Sequence, residues 1–194
     1  MPNWCDLDVD IEGSKEVLEK ILEKGSEGTF TVGSNWNKEI MNYESFEKKP
    51  NVFSFDNFHP TPKDLLDGEG WYAWRIENWG TKWDLDQEGA VSISEITPIG
   101  NEKFSFGIGA STAWGPALEL FRKISEDYGV KVIYQYAEEG MAFFGKAIIE
   151  NGVIISDGYR EITSEDYKIA GATLDEDGNV DWDRTDEYNL YKAL

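Results

Sequence analysis

Within residues 3–12 the chain alternates without a break: Leu7, Val9 and Ile11 fall on one side, Asp6, Asp8, Asp10 and Glu12 on the other. A period of two marks a strand with one buried and one wet face; a helix would repeat its apolar positions every three to four residues. Cys5 shares the side of Leu7. The opening of the chain is therefore predicted to lie in a sheet with its carboxylates outward, about 6.8 Å apart along one face.

The segments that follow supply what could cover the apolar side. Ser14 is placed to cap a helix over Lys15–Lys24, with Val17, Leu18, Ile21 and Leu22 as its stripe and Gly25 as its stop. Gly28–Lys49 is polar; its expected content is a short strand at Thr29–Val32 and then a helical turn. Val52–Phe58 reads as the second strand, His59-Pro60-Thr61-Pro62 as an extended break, and Lys63–Leu66 as the start of a short helix. The densest aromatic stretch, Trp71–Trp83, follows. At helical spacing Tyr72, Ile76 and Trp79 share one face and Trp71, Trp74, Arg75 and Asn78 another, with Gly80 as the stop.

Ala90–Ile96 and Lys103–Ala110 read as paired strands. Pro116 falls in the first turn of an amphipathic helix over Ala117–Tyr128, which Gly129 ends. Val130–Tyr136 is a strand, and Gly145–Ile149 with Val153–Ser156 forms a hairpin over Asn151-Gly152. Two split strand–helix–strand units of this kind predict an α+β fold: a ferredoxin-like antiparallel sheet with helices on one face. It spans residues 1–160, with a Trp-rich insertion at about 59–89. Residues 161–194 form an acidic C-terminal extension, read either as a hairpin at Asp177-Gly178 or as a mobile tail.

Composition narrows the function. Eighteen Lys and Arg stand against thirty-eight Asp and Glu, a net charge of −20 spread over both halves of the chain. Such a field repels nucleic-acid phosphates and anionic lipids and attracts basic protein surfaces. One cysteine allows no internal disulfide and no cysteine-rich metal site. No run nears the ~20 apolar residues that span a bilayer, and the N-terminus carries no leader pattern, so a cytoplasmic location in a host cell is expected.

Pro2-Asn3-Trp4-Cys5, Glu77-Asn78-Trp79-Gly80-Thr81-Lys82-Trp83-Asp84 and Thr112-Ala113-Trp114-Gly115-Pro116 together resemble the Api92-like proteins, which carry a YubB-type ferredoxin-like domain. The resemblance covers roughly residues 2–150 and leaves the tail past 160 outside. Asp6-Leu7-Asp8 stands where that family usually has an asparagine soon after the cysteine. The resemblance implies the same fold and an accessory protein of phages, prophages or plasmids; it brings no established chemistry.

No catalytic constellation is legible. A nucleophilic thiol needs a lowered pKa, whereas Cys5 sits inside a strand beside Asp6, Asp8 and Asp10. His59, the only histidine, has no carboxylate singled out by spacing. Asp175-Glu176-Asp177-Gly178-Asn179 lacks the register of a calcium loop, and no phosphate-binding glycine motif occurs. No metal or cofactor is expected. His59, Trp71, Trp74, Arg75, Asn78, Lys82 and Trp83 are readable as a pocket for a planar or cationic ligand, or as a brace docking the insertion on the sheet.

The row Asp6, Asp8, Asp10 and Glu12 is the strongest candidate surface. RNA-binding versions of this fold place aromatics on that sheet face; four carboxylates would repel a phosphate backbone. Phosphates along DNA repeat every ~3.4 Å per strand, so mimicry of DNA would need further rows, which Asp175, Glu176, Asp177, Asp181 and Asp183 could supply. The expectation is a non-catalytic, acidic, anti-defence protein of a phage or mobile element occupying a basic site on a host nucleic-acid-handling protein. A small-ligand binder or enzyme using the Trp71–Trp83 pocket, and a structural or assembly protein, are the alternatives.

Overall fold

The strand that opens the chain, β1 (Trp4–Gly13), lies in the middle of the molecule's main sheet, because both of its edges are paired in the computed structural model. Residues 3–37, 39, 41–85, 91–181, 183–185 and 189–194 are described. In order along the chain come α1 (Lys15–Gly25), β2 (Thr29–Asn37), β3 (Asn42–Pro50), α2 (Lys63–Leu66), α3 (Gly70–Trp79), β4 (Ser92–Ile93), β5 (Thr97–Gly100) and β6 (Lys103–Ala113). Then follow α4 (Leu118–Tyr128), β7 (Lys131–Glu138), β8 (Phe143–Glu150), β9 (Val153–Asp157), β10 (Arg160–Glu161), α5 (Ser164–Ala170) and a C-terminal 3-10 turn, Leu190–Ala193.

Strand β1 pairs antiparallel with β6 from Trp4↔Ala113 to Gly13↔Phe104, and with β7 from Asp6↔Ala137 to Glu12↔Lys131. The full order is β10-β8-β7-β1-β6-β4, with β5 farther along β6 and β9 farther along β8. Strands β7, β1, β6 and β4/β5 with helices α1 and α4 reproduce the two interleaved strand–helix–strand units of the predicted ferredoxin-like fold. Strands β8 to β10 widen the sheet beyond β7.

The alternation does what it dictates: Cys5, Leu7, Val9 and Ile11 are buried, while Asp6, Asp8 and Asp10 are exposed. On the buried face they meet Phe106 and Ile108 of β6, Val132 and Tyr134 of β7, and the stripes of the two helices. Ser14 caps α1 by accepting from Val17 N at 3.4 Å, and Leu18 and Ile21 are fully buried. In α4, Leu120, Phe121 and Ile124 are fully buried, each such side chain contributing about 1.5–3 kcal/mol through removal from water. Pro116 lies ahead of α4 and not in its first turn, since Ala117 at the N-cap adopts a left-handed φ of 52°.

The polar stretch after α1 corrects the reading of a helical turn: β2 and β3 pair from Thr29↔Pro50 to Asn37↔Asn42 as a separate two-stranded sheet. Val52–Phe58 is not a strand either. Phe53, Phe55 and Phe58 are buried, but the backbone turns on itself, with Phe58 N and His59 N both donating to Phe55 O. The second strand of the ferredoxin-like order is supplied by β4 and β5. Residues 86–90, which end the expected insertion and open the predicted Ala90–Ile96 strand, lie outside the described residues.

The C-terminal extension packs on the sheet's second face at its β7–β8 end. Ala137, Phe144, Ile162, Ala170 and Leu190 form a small core there, apart from the main one. The expected hairpin at Asp177-Gly178 is present as a Leu174↔Val180 bridge turned by Gly178 at φ 85°.

Candidate functional site: an open acidic sheet face beside an aromatic patch

Over β1 and β6 the second face of the sheet is uncovered. Opposite Asp6, Asp8, Asp10 and Glu12, strand β6 presents Ser111, Gly109, Gly107 and Ser105, so the carboxylates border a trough with almost no side-chain bulk. Ser111 Oγ donates to Asp6 Oδ1 at 2.7 Å, and Lys131 lies 3.4 Å from Glu12. Among the described residues no ion pair reaches Asp8 or Asp10. Partial burial, with Asp8 and Glu12 adding like charge, raises the Asp10 pKa above the ordinary aspartate value. Two concavities flank the row. One of about 560 Å³ is lined by Asp6, Asp8, Ser92, Ser94 and Ser111; the other, about 480 Å³, by Asp6, Asp8, Ala137, Glu139 and Asn189. Tyr191 lines both, and its hydroxyl donates to Asp6 O at 3.1 Å.

The tail acids are engaged elsewhere. Asp175 Oδ1 accepts from Asp177 N at 3.0 Å and Asn179 N at 2.9 Å, closing the hairpin, whose Gly178 O receives Ser164 Oγ at the start of α5. Asp181 accepts from Asp183 N and pairs with Arg184 at 3.5 Å, while Glu176 and Asp177 point into solvent. Among the described residues the tail reaches the row through Tyr191, not through Asp175, Glu176, Asp177, Asp181 or Asp183; Asp186 and Glu187 lie outside the described residues. No group of three or more His, Cys, Asp or Glu among the described residues could hold a metal ion.

The seven residues read as a pocket fall into two groups. In the first, His59 Nε2 donates to Asn78 Oδ1 at 3.1 Å and its ring lies 4.8 Å from that of Trp74. Arg75 stacks 5.3 Å from Trp71 and 4.5 Å from Trp79, and donates through Nε to Thr61. Trp79 is fully buried and donates from Nε1 to His59 O, so this group fastens α3 to the 53–61 loop. Tyr72 and Ile76, which share a helix face with Trp79 by spacing, are instead exposed.

Gly80, at φ 80°, ends α3 in the left-handed conformation and sends Lys82 and Trp83 in another direction. The Lys82 ammonium lies 4.5 Å from the Trp83 ring, 4.8 Å from Trp114 and 5.9 Å from Tyr72. Trp83 in turn sits 6.1 Å from Trp4, the residue that begins the outward row of β1. The three aromatic motifs thus converge. Trp114 N donates to Asn3 O, Thr81 Oγ1 donates to Ala113 O, and a Cβ on Gly115 would meet Gly80 O at 2.6 Å. Beside them opens an apolar concavity of about 510 Å³ lined by Asn3, Tyr72, Ile76, Trp114 and Met141. Sequence reasoning missed this site; its one signal was the Trp114 motif itself.

Cys5 is fully buried, and burial, with Asp6 and Glu138 adding negative charge, pushes its thiol well up. It is a core residue in a field that opposes thiolate formation.

Fold and surface together define a ferredoxin-like α+β protein whose sheet has one open, anionic face. A family model described as the ferredoxin-like domain in Api92-like protein matches residues 79–180, and the chain belongs to that family. The match begins at the end of α3 and runs through α5 and the Asp177-Gly178 hairpin, so it reaches beyond the 2–150 span of the motif resemblance and includes part of the tail. The crystal structure of protein Api92 from Yersinia pseudotuberculosis is similar in fold, with a TM-score of 0.57 at 10% identity over 82% of this chain and 98% of that one. No curated protein matches the sequence. No helix among the described residues is long and apolar enough to cross a membrane.

Proposed function

We propose that this chain is a non-catalytic binding protein that docks through its open sheet face on a basic surface of a partner protein. The observation that carries the reading is the exposure of Asp6, Asp8 and Asp10 in one row, with Asp8 and Asp10 free of cationic partners among the described residues. A sheet that only needed solubility could scatter its charges of both signs. Here the acids stand in line beside a trough of Gly and Ser, where a partner's long Lys or Arg side chains have room to lie. One row at about 6.8 Å has roughly half the phosphate density of a DNA strand, so a basic cleft is engaged by a line of charge and not by a copy of the duplex. The partner that fits is a nucleic-acid-handling host protein, such as a restriction or CRISPR component, and the chain would serve a phage or mobile element by occupying that cleft.

Affinity capture from a bacterial extract at low salt, followed by elution and binding measurements, tests this. The expected result is a basic nucleic-acid-binding protein that its own DNA or RNA competes away. Its Kd should rise at least about tenfold between roughly 50 and 300 mM salt. A partner whose affinity ignores salt, or one that binds this chain and its nucleic acid together, would defeat the reading.

A further inference from the structure

The aromatic patch touches the acidic row at Trp4, and the two have complementary chemistry. Trp4, Tyr72, Ile76, Trp114 and Met141 are each 39–65% exposed, although most of the other large apolar side chains among the described residues are buried or half-buried. Contiguous apolar surface of this kind marks an interaction site. The patch is also held rigid. Trp114 keeps a φ of 67°, a conformation costly for a bulky residue, and is pinned there by Asn3 O, while Thr112 Oγ1 donates to Gly115 O at 2.6 Å. The Lys82 ammonium lies over the Trp83 and Trp114 rings, and Glu138 holds the Met141 backbone by accepting from its N–H at 2.6 Å. Strain and clamping that hold a tryptophan at the surface gain the core nothing; pre-organised aromatic and Met side chains around a concavity are how interfaces anchor a partner.

Charge selects the occupant. The net charge of −20, the neighbouring row and Glu77 on the rim helix favour a cationic chain, while Lys82, already over the Trp114 and Tyr72 rings, leaves the concavity itself to an apolar group. We infer that the docking segment is a basic stretch with an apolar anchor at one end: the anchor enters the concavity between Tyr72, Ile76, Trp114 and Met141, and its Lys or Arg side chains run past Trp4 onto Asp6, Asp8 and Asp10. This rests on the proposed role of the acidic face and adds to it the anchor that sets residence time.

Two labelled synthetic peptides test it by fluorescence anisotropy. One carries Phe-Leu at one end followed by arginines at alternate positions; the other replaces Phe-Leu with Ser-Ser. The wild-type chain should bind the anchored peptide at least about tenfold more tightly. Trp114→Ala, and the milder exposed substitution Tyr72→Ala checked for folding by circular dichroism, should erase that difference and leave the Ser-Ser peptide unaffected. Asp6→Asn/Asp8→Asn/Asp10→Asn should weaken both peptides. Equal binding of the two peptides, with the triple variant still impaired, overturns the anchor and leaves the acidic face standing. Binding of neither peptide, or binding indifferent to the triple substitution, overturns both.

Discussion

Arg160→Ala releases the C-terminal extension from the sheet. Arg160 grips Asp166 with two parallel hydrogen bonds of 2.7 Å, donates from Nη2 to Ala193 O at 3.0 Å, and lies 4.2 Å over the ring of Phe144. One side chain therefore ties β10, α5, the C-terminal turn and the sheet together. The Asp166 side chain is 6% exposed, and it also accepts from Thr163 N and Oγ1, completing the capping box of α5. Removing the cation leaves the carboxylate short of its main partner; because Arg160 is itself 43% exposed and water can take part of its place, the loss is about 1.5–3 kcal/mol.

The loss is local, since Leu190 and Ala170 pack in the small second core and not in the main one. Hydrogen exchange should show amides of α5 and the C-terminal turn losing protection while those of β1, β6 and β7 keep theirs. Acid gives the same answer by a second route. Arg160 and the Thr163 groups hold the Asp166 carboxyl far below the usual aspartate range. Its contribution is complete above the unfolded aspartate pKa of about 4 and is lost only as pH falls through the lower folded value. In Arg160→Ala the release should move up toward pH ~4. Wild-type protection of the tail in the variant would show that the clamp is dispensable.

Asp84→Ala should unfasten the insertion. The Asp84 carboxylate accepts from Ser54 Oγ at 2.6 Å, Phe55 N at 2.7 Å, Leu85 N at 2.8 Å and Asp56 N at 3.3 Å. Burial pushes its pKa above the ordinary value against the pull of these bonds. Those donors fix the loop that delivers Phe53 and Phe55 into the core, where Phe55 meets Trp79 and Phe121 edge-on. Alanine would strand several donors at once, for a loss of about 3–4 kcal/mol seen as a lower chemical-denaturation midpoint. Asparagine keeps one acceptor and turns donors toward donors, so it should recover less than half. A neutral Asp84→Ala would mean that the loop is held by its phenylalanines alone.

That loop also shows where the sequence misleads. Phe53 and Phe55 have the spacing of a buried strand, but the backbone groups that a strand would give to a ladder go to Asp84 and to a local turn. What the pattern reports is burial, and burial without a ladder looks the same. The converse holds for β2 and β3, which pair with each other as a separate sheet: Phe30 and Val32 announce the start of β2 at the expected Thr29–Val32, but the rest of the hairpin, rich in Ser, Asn, Glu and Lys, carries no sustained apolar alternation. Where one face is buried and both edges are paired, as in β1, the pattern is legible in full. Turn chemistry was equally plain at Asn151-Gly152, whose φ values of 50° and 76° close the β8–β9 hairpin.

The candidate site divides the same way. The acidic row was readable because four neighbours in one strand make it. The aromatic concavity was not, because Asn3, Tyr72, Trp114 and Met141 come from four distant segments. Proximity in sequence grouped Lys82 and Trp83 with Trp71 and Trp74; the left-handed turn at Gly80 separates them in space. A glycine stop can be read from sequence, but the direction in which the chain leaves it cannot.

The most direct test of the acidic face is the association rate of the captured basic partner with the wild-type chain and with Asp6→Asn/Asp8→Asn/Asp10→Asn, compared at low salt by stopped flow. These side chains are exposed, so the variant should fold with an unchanged melting temperature or a slightly higher one. The account predicts association slowed by at least about tenfold, with the gap closing as salt rises. An unchanged rate at low salt in a folded variant would contradict it.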